Sequence, residues 1–251
     1  MSLTQYFRAK CAPLALLCSL LTASALATPL TVVTELSPPS QTMENGEVAG
    51  ESTALVRMIL AEAKLSGEFA MLPWARAFKN ATTQKDTLIY SIARTSEREE
   101  QFEWIGPVAL FELGFVTNRF RDDIQLKSLD DAKHLRIAVQ RSDISAEILA
   151  KLGFDFIQTT DIEKSYALLI NNKVDLVVDD PRFLVDMAKA LKLPRDQFRF
   201  VLTVPELATQ GYLAASKTTS KTAVEQLKTA FKQVSETSEY KQVMKQTILK
   251  D

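Results

Sequence analysis

The sequence predicts an α/β protein of two lobes, each a mainly parallel sheet flanked by helices, joined by two hinge crossings. Apolar β-rich runs alternate with helical segments, as in FDFIQ, the helix at 162–171 and VDLVVDD, and this alternation is typical of parallel sheets. A long apolar segment at 108–120 has strand character and is suited to cross between lobes. After it the composition restarts as a second α/β unit, so we expect two bodies.

Residues 1–27 have the pattern of a cleaved secretory signal peptide. Arg8 and Lys10 supply its charged start, an apolar stretch follows, and Ala-Leu-Ala at 25–27 forms a small-residue cleavage site. The apolar stretch is too short for a resident membrane helix. Cys18 follows Leu17, where a lipoprotein signal needs a small residue, so we expect no lipid anchor and no stable membrane attachment.

The composition argues against several classes of function. Without Arg8 and Lys10 the chain keeps 28 of its 30 basic residues beside 31 acidic ones, and no basic stripe indicates nucleic-acid binding. Both cysteines, Cys11 and Cys18, lie in the predicted leader, and His134 is the only histidine, which argues against a zinc site or a histidine-activated nucleophile. None of the 7 glycines forms a phosphate loop. We therefore expect no metal and no cofactor.

The first unit is predicted from the start of the mature chain. LTVVTE at 30–35 has strand composition, and Asn45-Gly46 in the following loop is a turn signal. A helix is predicted over 52–64, with Gly67 ending it. EFAML predicts the next strand, and Pro73 opens the following helix at the position where proline is tolerated.

The stretch 88–107, LIYSIARTSEREEQFEWIGP, carries the main candidate site. Its strand brings the hydroxyl of Ser91 and the guanidiniums of Arg94 and Arg98 to its carboxyl end, the edge where open α/β sheets hold ligands. Thr95 or Ser96 is the predicted N-cap of a short helix there. An arginine at this edge suits a carboxylate, because its planar fork donates two parallel bonds. The alternative is an ion pair with a nearby acid: Glu97, Glu99 or Glu100.

The second unit repeats the alternation. A strand is predicted at 135–140, and Ser142 or Asp143 is the expected N-cap of the helix after it, whose free N–H groups would form an anion site. Asp179 and Asp180 end a later strand just before Pro181, where two acids also suit the start of a helix. The chain is then predicted to return near 205–210 and to end in two amphipathic helices, the second including Ile248, that cover the first lobe.

The strand with Ser91, the spacing Thr95-x-x-Arg98 and the aromatic segment FEWIGP resemble the bacterial extracellular solute-binding proteins of family 3, the polar amino-acid receptors of ABC importers. LPWARAF and VDLVVDDP fit the same pattern in the same order, over essentially the whole mature chain. The resemblance implies a periplasmic-binding-protein-like fold, with lobe 1 at 28–112 plus 209–251 and lobe 2 at 113–208. It also implies a periplasmic monomer.

The resemblance assigns further side chains to the ligand. Glu35 and Ser37 follow the first strand, where the family places ligand-facing groups. Trp74 is placed close to an apolar or aromatic wall of the pocket, which favours a face over the ligand, with ordinary core or domain-interface packing as the alternative. Aligned by VDLVV, Asp180 takes the place of the family's acceptor for the ligand's α-ammonium group, and Asp179 is one residue off.

These assignments together predict a receptor for a zwitterion. Arg98 would hold a carboxylate, Ser91 would add a hydroxyl or carbonyl contact, Ser142 and Asp143 would present backbone N–H groups, and Asp180 would accept the ammonium. A small carboxylate or zwitterion, most simply an amino acid, is the expected ligand, and the membrane permease of an ABC importer is the expected partner. We expect binding and not catalysis.

Two departures from the family pattern keep alternatives open. Arg94 stands where amino-acid binders usually carry an apolar residue, and Ala93 where they carry a hydroxyl. An additional cation at Arg94 suits either a ligand with a second acid group or a structural ion pair. An enzyme on the same fold, similar to cyclohexadienyl dehydratases, would need a free carboxylate such as Glu35 or Asp180. A third alternative is a ligand receptor that serves a separate membrane sensor.

Overall fold

A computed structural model describes residues 28–245 of the 251-residue chain. The predicted signal peptide at 1–27, with Cys11 and Cys18, lies outside the described residues, as does Ile248 of the second predicted C-terminal helix. Within 28–245 no helix is both long enough and apolar enough to cross a membrane.

Eight of the ten strands in the described part of the chain are short, and the other two are long and run through both lobes. In chain order they are β1 Leu30–Thr34, β2 Thr42–Glu44, β3 Glu47–Ala49, β4 Gly67–Met71, β5 Thr87–Ala93, β6 Phe102–Asn118, β7 Ile137–Gln140, β8 Ile157–Thr159, β9 Leu176–Asp179 and β10 Phe198–Ser216. The α-helices are α1 Glu51–Glu62, α2 Trp74–Thr83, α3 Ile144–Lys151, α4 Ile162–Ile170, α5 Leu184–Ala190, α6 Lys221–Val234 and α7 Ser238–Val243. Short 3-10 turns occupy Glu99–Gln101, Leu129–Ala132 and Pro181–Phe183.

Eight strands form one mixed sheet in the order β4-β1-β5-β10-β6-β9-β7-β8. β1 pairs in parallel with β4 and β5, and β7 pairs in parallel with β8 and β9. β6 and β10 are antiparallel to each other and join the two parallel halves. The predicted α/β fold of two lobes with two crossings is confirmed, and the carboxyl ends of both sets of parallel strands meet between the lobes.

The buried apolar side chains form four clusters that follow this division. Two clusters are built from residues between Leu30 and Val108 and between Tyr212 and Val243. The other two come from residues 113–207, apart from Ala93 and Leu36. Helix α1 packs against α6 on the first lobe, as the predicted C-terminal cover requires. Each lobe therefore has its own core, and the space between them is available for a site.

The prediction that Gly67 ends the first helix is wrong. Helix α1 ends at Glu62, and Lys64, with φ 56°, forms the left-handed turn that closes it. The N–H of Leu65 then donates to the carbonyl of Leu60 at 3.0 Å, which satisfies an end carbonyl. Gly67 begins β4, where a Cβ would come within 2.8 Å of the Val32 side chain. Close packing between neighbouring strands thus explains this glycine.

The short helix predicted after β5 is present as a 3-10 turn, but its predicted start and side-chain cap at Thr95 or Ser96 are wrong. Residues 94–98 form a turn that leads into the 3-10 turn Glu99–Gln101, and no side chain caps it. The N–H of Arg98 donates to the carbonyl of Thr95 at 3.1 Å, so Thr95 contributes its backbone and not its hydroxyl. The turn is held by main-chain bonds and leaves the Arg98 side chain directed into the cleft.

The long strands extend further than expected. β6 begins at Phe102, so FEWIGP is part of the strand that crosses between the lobes. β10 is continuous from Phe198 to Ser216, but its pairing with β6 is interrupted between Thr203 and Ala208. This interruption overlaps the predicted return crossing at 205–210.

Candidate ligand-binding site

A cavity of about 70 Å³ lies between the lobes, where β1, β5, β7 and β9 end. This is the edge at which open parallel sheets bind ligands. Its polar and charged lining residues are Glu35, Ser37, Gln41, Ser91, Arg98, Gln140, Asp143, Ser145, Asp179 and Thr209. Trp74, Tyr90, Phe111 and several aliphatic side chains complete the wall. Of the residues that the sequence assigned to the ligand, Glu35, Ser91, Arg98, Asp143 and Trp74 line this cavity.

Arg98 is fully buried, with 2 % of its surface exposed. Its Nε donates to Oε1 of Glu147 at 3.1 Å, its Nη2 contacts the same oxygen, and Nη2 also donates to the Ser142 carbonyl at 3.0 Å. Its Nη1 lies 3.4 Å from the carbonyl of Ala93. Arg98 therefore ties the first lobe to helix α3 of the second, and its carboxylate partner is Glu147, an acid outside those the sequence offered.

The start of helix α3 is closed by its own residue. Asp143 is the N-cap, as predicted, and its Oδ1 accepts from the N–H of Ser145 at 2.8 Å and from the Ser145 hydroxyl. Ser142 adopts φ 63° and presents its carbonyl to the first lobe, where the Nε1 of Trp74 donates to it at 2.8 Å. Ser142 therefore meets the opposite lobe as an acceptor, whereas the sequence assigned it a donor role.

Trp74 and Ser91 form part of the wall from the first lobe. Trp74 is buried, and its ring centre lies 6.2 Å from that of Phe78. Its indole N–H crosses the cleft to the Ser142 carbonyl. Ser91 has φ 61°, a left-handed conformation inside β5, and its hydroxyl contacts the side-chain amide of Gln41. The unusual backbone at Ser91 turns its hydroxyl toward the cavity wall.

The two acids that end β9 have opposite surroundings. Asp180 is completely buried, and its carboxylate binds the Arg182 side chain at 2.8 and 2.6 Å and the N–H of Glu112 at 2.9 Å. Asp179 lines the cavity, and its carboxylate accepts hydrogen bonds from the Tyr166 hydroxyl at 2.6 Å and from the backbone N–H of Asp180 at 2.8 Å. The structure thus places Asp180 in an internal ion pair outside the cavity lining, and the cavity-facing acid is Asp179.

The pKa values in the cavity reflect crowding of acids. Burial raises the pKa of Asp179 to about 7, although its bonds from Tyr166 and from the Asp180 N–H lower it. Burial also raises the pKa of Glu35 well above its ordinary value, and the negative charges of Asp143 and Asp179 raise it further, while Gln140 lowers it by a hydrogen bond. Oε2 of Glu35 is buried without a hydrogen-bond partner. These carboxyls would be stabilised by a cation in the cavity.

Arg94 does not line the cavity. Its guanidinium forms a forked pair with Glu99 at 2.8 and 2.5 Å, half exposed, and lies 5.3 Å over the ring of Trp104. This is the surface ion pair that the sequence left open as an alternative. We therefore do not include Arg94 in the proposed site.

A wider groove of about 790 Å³ adjoins the cavity and shares Glu35, Leu36 and Ile162 with it. Its charged lining residues are Glu35, Glu44, Glu47, Asp161, Glu163, Asp186 and Lys189. Six carboxyls beside one ammonium give this entrance a negative potential, which attracts cations. Glu35 therefore lines both the groove and the cavity and lies at the boundary between them.

Sequence reasoning missed Asp179, Gln41, Gln140 and Glu147. For Asp179 a usable signal was present, because an Asp directly before Pro181 is a typical cap for the turn that follows, and Asp180 indeed accepts from the N–H of Arg182 at 3.0 Å. That role removes Asp180 from the ligand and leaves its neighbour. The other three reach the site through long-range packing, for which no local pattern exists.

The chain was compared with known proteins. The family model of the bacterial extracellular solute-binding proteins, family 3, matches residues 30–249. No curated protein sequence matches the chain significantly.

Solved structures share the fold at low sequence identity. A histidine kinase sensor domain with similarity to periplasmic binding proteins has a TM-score of 0.75 at 18 % identity, over 87 % of this chain and 94 % of that one. An ancestral arginine-binding protein bound to arginine has a TM-score of 0.71 at 20 % identity, over 86 % and 96 %. A Salmonella typhimurium periplasmic binding protein with high arginine specificity has a TM-score of 0.72 at 14 % identity, over 87 % and 98 %. Since the family model spans nearly the whole length, the chain belongs to the bacterial extracellular solute-binding proteins, family 3.

Proposed function

We propose that the protein captures a small amine-bearing solute, an amino acid or a related amine, in the cleft and delivers it to the membrane permease of an ABC importer. Its lobes are proposed to be 28–112 plus 209–251 and 113–208, and it is proposed to act in the periplasm after removal of residues 1–27. The observation that carries the proposal is Asp179, a buried carboxylate in the cavity wall whose charge no cation in the cavity lining compensates.

The geometry supports recognition of an ammonium group. The Asp179 carboxylate is held by Tyr166 and by the Asp180 N–H, which fix its orientation. Asp179 is 7 % exposed beside a wall that includes Trp74 and other aromatic residues, and a charge-assisted bond is stronger in such buried surroundings. Several similar structures are amino-acid receptors by description, including the arginine-binding proteins, which is consistent with a solute of this size.

A thermal-shift screen tests the proposal. The purified protein is unfolded and refolded to remove carried solute, then melted with amino acids, amines, dicarboxylates and cyclohexadienyl acids. A ligand at a hundred times its dissociation constant adds about 2.7 kcal/mol, or about 5–10 °C for a chain of this size. Shifts restricted to amine-bearing solutes support the proposal, and shifts restricted to acids without an amine overturn it.

Two alternatives to an importer receptor are each supported by one specific observation. The similarity to a histidine kinase sensor domain favours delivery to a separate membrane sensor as a second candidate. The buried carboxyl of Glu35, whose pKa is raised by burial and by Asp143, is suited to act as a general acid, as an enzyme on this fold would require. Turnover of a cyclohexadienyl acid that is lost in Glu35→Gln would establish the enzyme. Binding without turnover would leave the solute-binding function.

A further inference from the structure

Both elements that would bind a ligand carboxylate in this cleft already hold a carboxylate of the chain itself. The Arg98 guanidinium binds Oε1 of Glu147 through Nε and Nη2. The first free N–H groups of helix α3 face Asp143, whose Oδ1 accepts from Ser145 at 2.8 Å. Among the described residues that line the cavity, Arg98 is the only cationic side chain. A ligand carboxylate would therefore have to displace an internal one.

The buried cavity atoms that lack a partner are acceptors. They are Oε2 of Glu35, Oε1 of Gln41 and Oε1 of Gln140, and all three residues line the cavity. Gln41 is 0 % exposed and Gln140 8 %, so both side chains are shielded from bulk solvent. Burial of a polar group without a hydrogen bond is unfavourable, so a ligand that supplies donors to these acceptors is favoured. Three such acceptors fit a ligand that donates hydrogen bonds in several directions.

The charges of the cavity lining also favour a cationic ligand. Glu35, Asp143 and Asp179 bring three carboxyls to the wall, and the only guanidinium among the lining residues is paired with a fourth acid, Glu147. The adjoining groove adds five further acids beside Lys189. Opposite charge within a buried site is required to hold so many carboxyls ionised. The cavity and its entrance together are complementary to a ligand with more than one positive charge.

We propose that the solute is an organic dication without a carboxylate, a diamine or an amino-guanidine, with one cationic group at Asp179 and the other at Glu35. The inference rests on the proposed function, because it takes the cleft as the solute site. The N–H groups of such a solute would donate hydrogen bonds to Oε1 of Gln41 and Oε1 of Gln140, which lack a partner. Arg98 then serves as a contact between the lobes, and a carboxylate on the solute weakens binding because Glu147 already occupies the guanidinium.

Matched pairs of ligands test this directly. Dissociation constants are measured by calorimetry on the refolded protein for arginine and agmatine and for lysine and cadaverine, each pair differing by one carboxylate. We expect each amine to bind at least tenfold more tightly than its amino acid. An amino acid that binds tenfold more tightly than its amine overturns the inference and leaves the proposed function intact. Equal affinities within a pair overturn the stated preference as well.

Failure of the proposed function has a different result. If the refolded protein binds no amine or amino acid while a carboxylate without an amine binds, both proposals fall. If glutamine or another neutral amino acid binds and both dications do not, only the inference falls. These outcomes separate the nature of the solute from the existence of the site.

Two variants add a test inside the cleft. Glu147→Gln removes the internal partner of Arg98, so we expect the affinity for arginine to rise at least tenfold relative to that for agmatine. Glu35→Gln should weaken agmatine and cadaverine at least tenfold. Glu62→Gln, an exposed acid on helix α1, is the matched control and should change neither. An unchanged arginine-to-agmatine ratio in a folded Glu147→Gln protein contradicts the assignment of Arg98, and melting curves establish that the variants fold.

Discussion

Arg98 and Glu147 form an ion pair across the cleft, with Nε of the guanidinium 3.1 Å from Oε1 of the carboxylate. Arg98 is 2 % exposed, and although 30 % of the Glu147 side chain is exposed, Oε2 of its carboxylate is buried without a hydrogen-bond partner. A second pair, Lys151 with Glu97 at 2.6 Å, lies beside it at the surface. Helix α3 is thereby attached to the turn that follows β5, and the closed arrangement has contacts that need no ligand.

Arg98→Ala is expected to lower the free energy of unfolding by about 3 kcal/mol, the lower end of the range for a broken buried pair, because part of the Glu147 side chain is already exposed. Denaturant unfolding measures the loss. Arg94→Ala is the matched control, since its exposed pair with Glu99 is worth about 0–1 kcal/mol. Equal losses in the two variants would show that Arg98 carries no special stability.

Asp179→Asn and Asp180→Asn should separate binding from stability. Asp179→Asn removes a cavity charge, so we expect at least a tenfold loss of affinity for an amine-bearing solute and an unchanged or higher melting temperature. Asp180→Asn leaves the guanidinium of Arg182, whose side chain is 19 % exposed, beside a neutral amide, and we expect it to cost about 3 kcal/mol of stability. Calorimetry and melting curves on both proteins give the comparison. The reverse assignment of the two effects would restore Asp180 as the ligand acid.

Binding of an amine should depend on pH through Asp179. Its pKa rises from 3.8 to about 7 on folding, so the empty protein binds an extra proton between these values and loses stability as the pH rises from about 4 to 7. A bound cation favours the ionised form. We therefore expect the affinity to fall as the pH decreases below 7, with release of a proton on binding. Calorimetry at pH 6 in two buffers of different ionisation enthalpy detects that proton, and its absence would contradict the assignment.

Trp74 should report closure of the cleft. Trp74→Phe keeps an aromatic wall but removes the 2.8 Å bond from Nε1 to the Ser142 carbonyl, so we expect weaker solute binding without loss of the first-lobe core. In the unaltered protein, tryptophan fluorescence should change on binding. Trp104, whose Nε1 bonds Glu99 within the first lobe, is the reference fluorophore, and Trp104→Phe should preserve the change. A signal that persists in Trp74→Phe and disappears in Trp104→Phe would contradict this view.

Local patterns predicted much of the fold because the relevant signals are short in sequence. The β-α alternation, the apolar segment after 107 and the cap at Asp143 follow from neighbouring residues. The predicted end of α1 was wrong because Lys64, and not a glycine, adopts the left-handed conformation there. The predicted cap in the turn at 94–98 was wrong because the carbonyl of Thr95, and not a side chain, accepts the hydrogen bond that holds the turn.

The site was predicted less completely, for a physical reason. The turn after β5 placed Arg98 in the cleft, but its partner Glu147 lies 49 residues further along the chain. Asp179 and Asp180 both end a strand that is buried on both faces, so no polar alternation shows which acid faces the cavity. The three acceptors without donors are a property of the folded wall and have no local signature.

The adjacency of Asp179 and Asp180 has a mechanical consequence. One peptide bond separates the carboxylate at the cavity from a carboxylate clamped to the N–H of Glu112 in the long strand β6, while Arg182 also holds the carbonyl of Leu110 in the same strand. A displacement of Asp179 toward a bound solute therefore pulls on the strand that connects the lobes. If the proposed solute binds at Asp179, these two residues link it directly to the strand that joins the lobes.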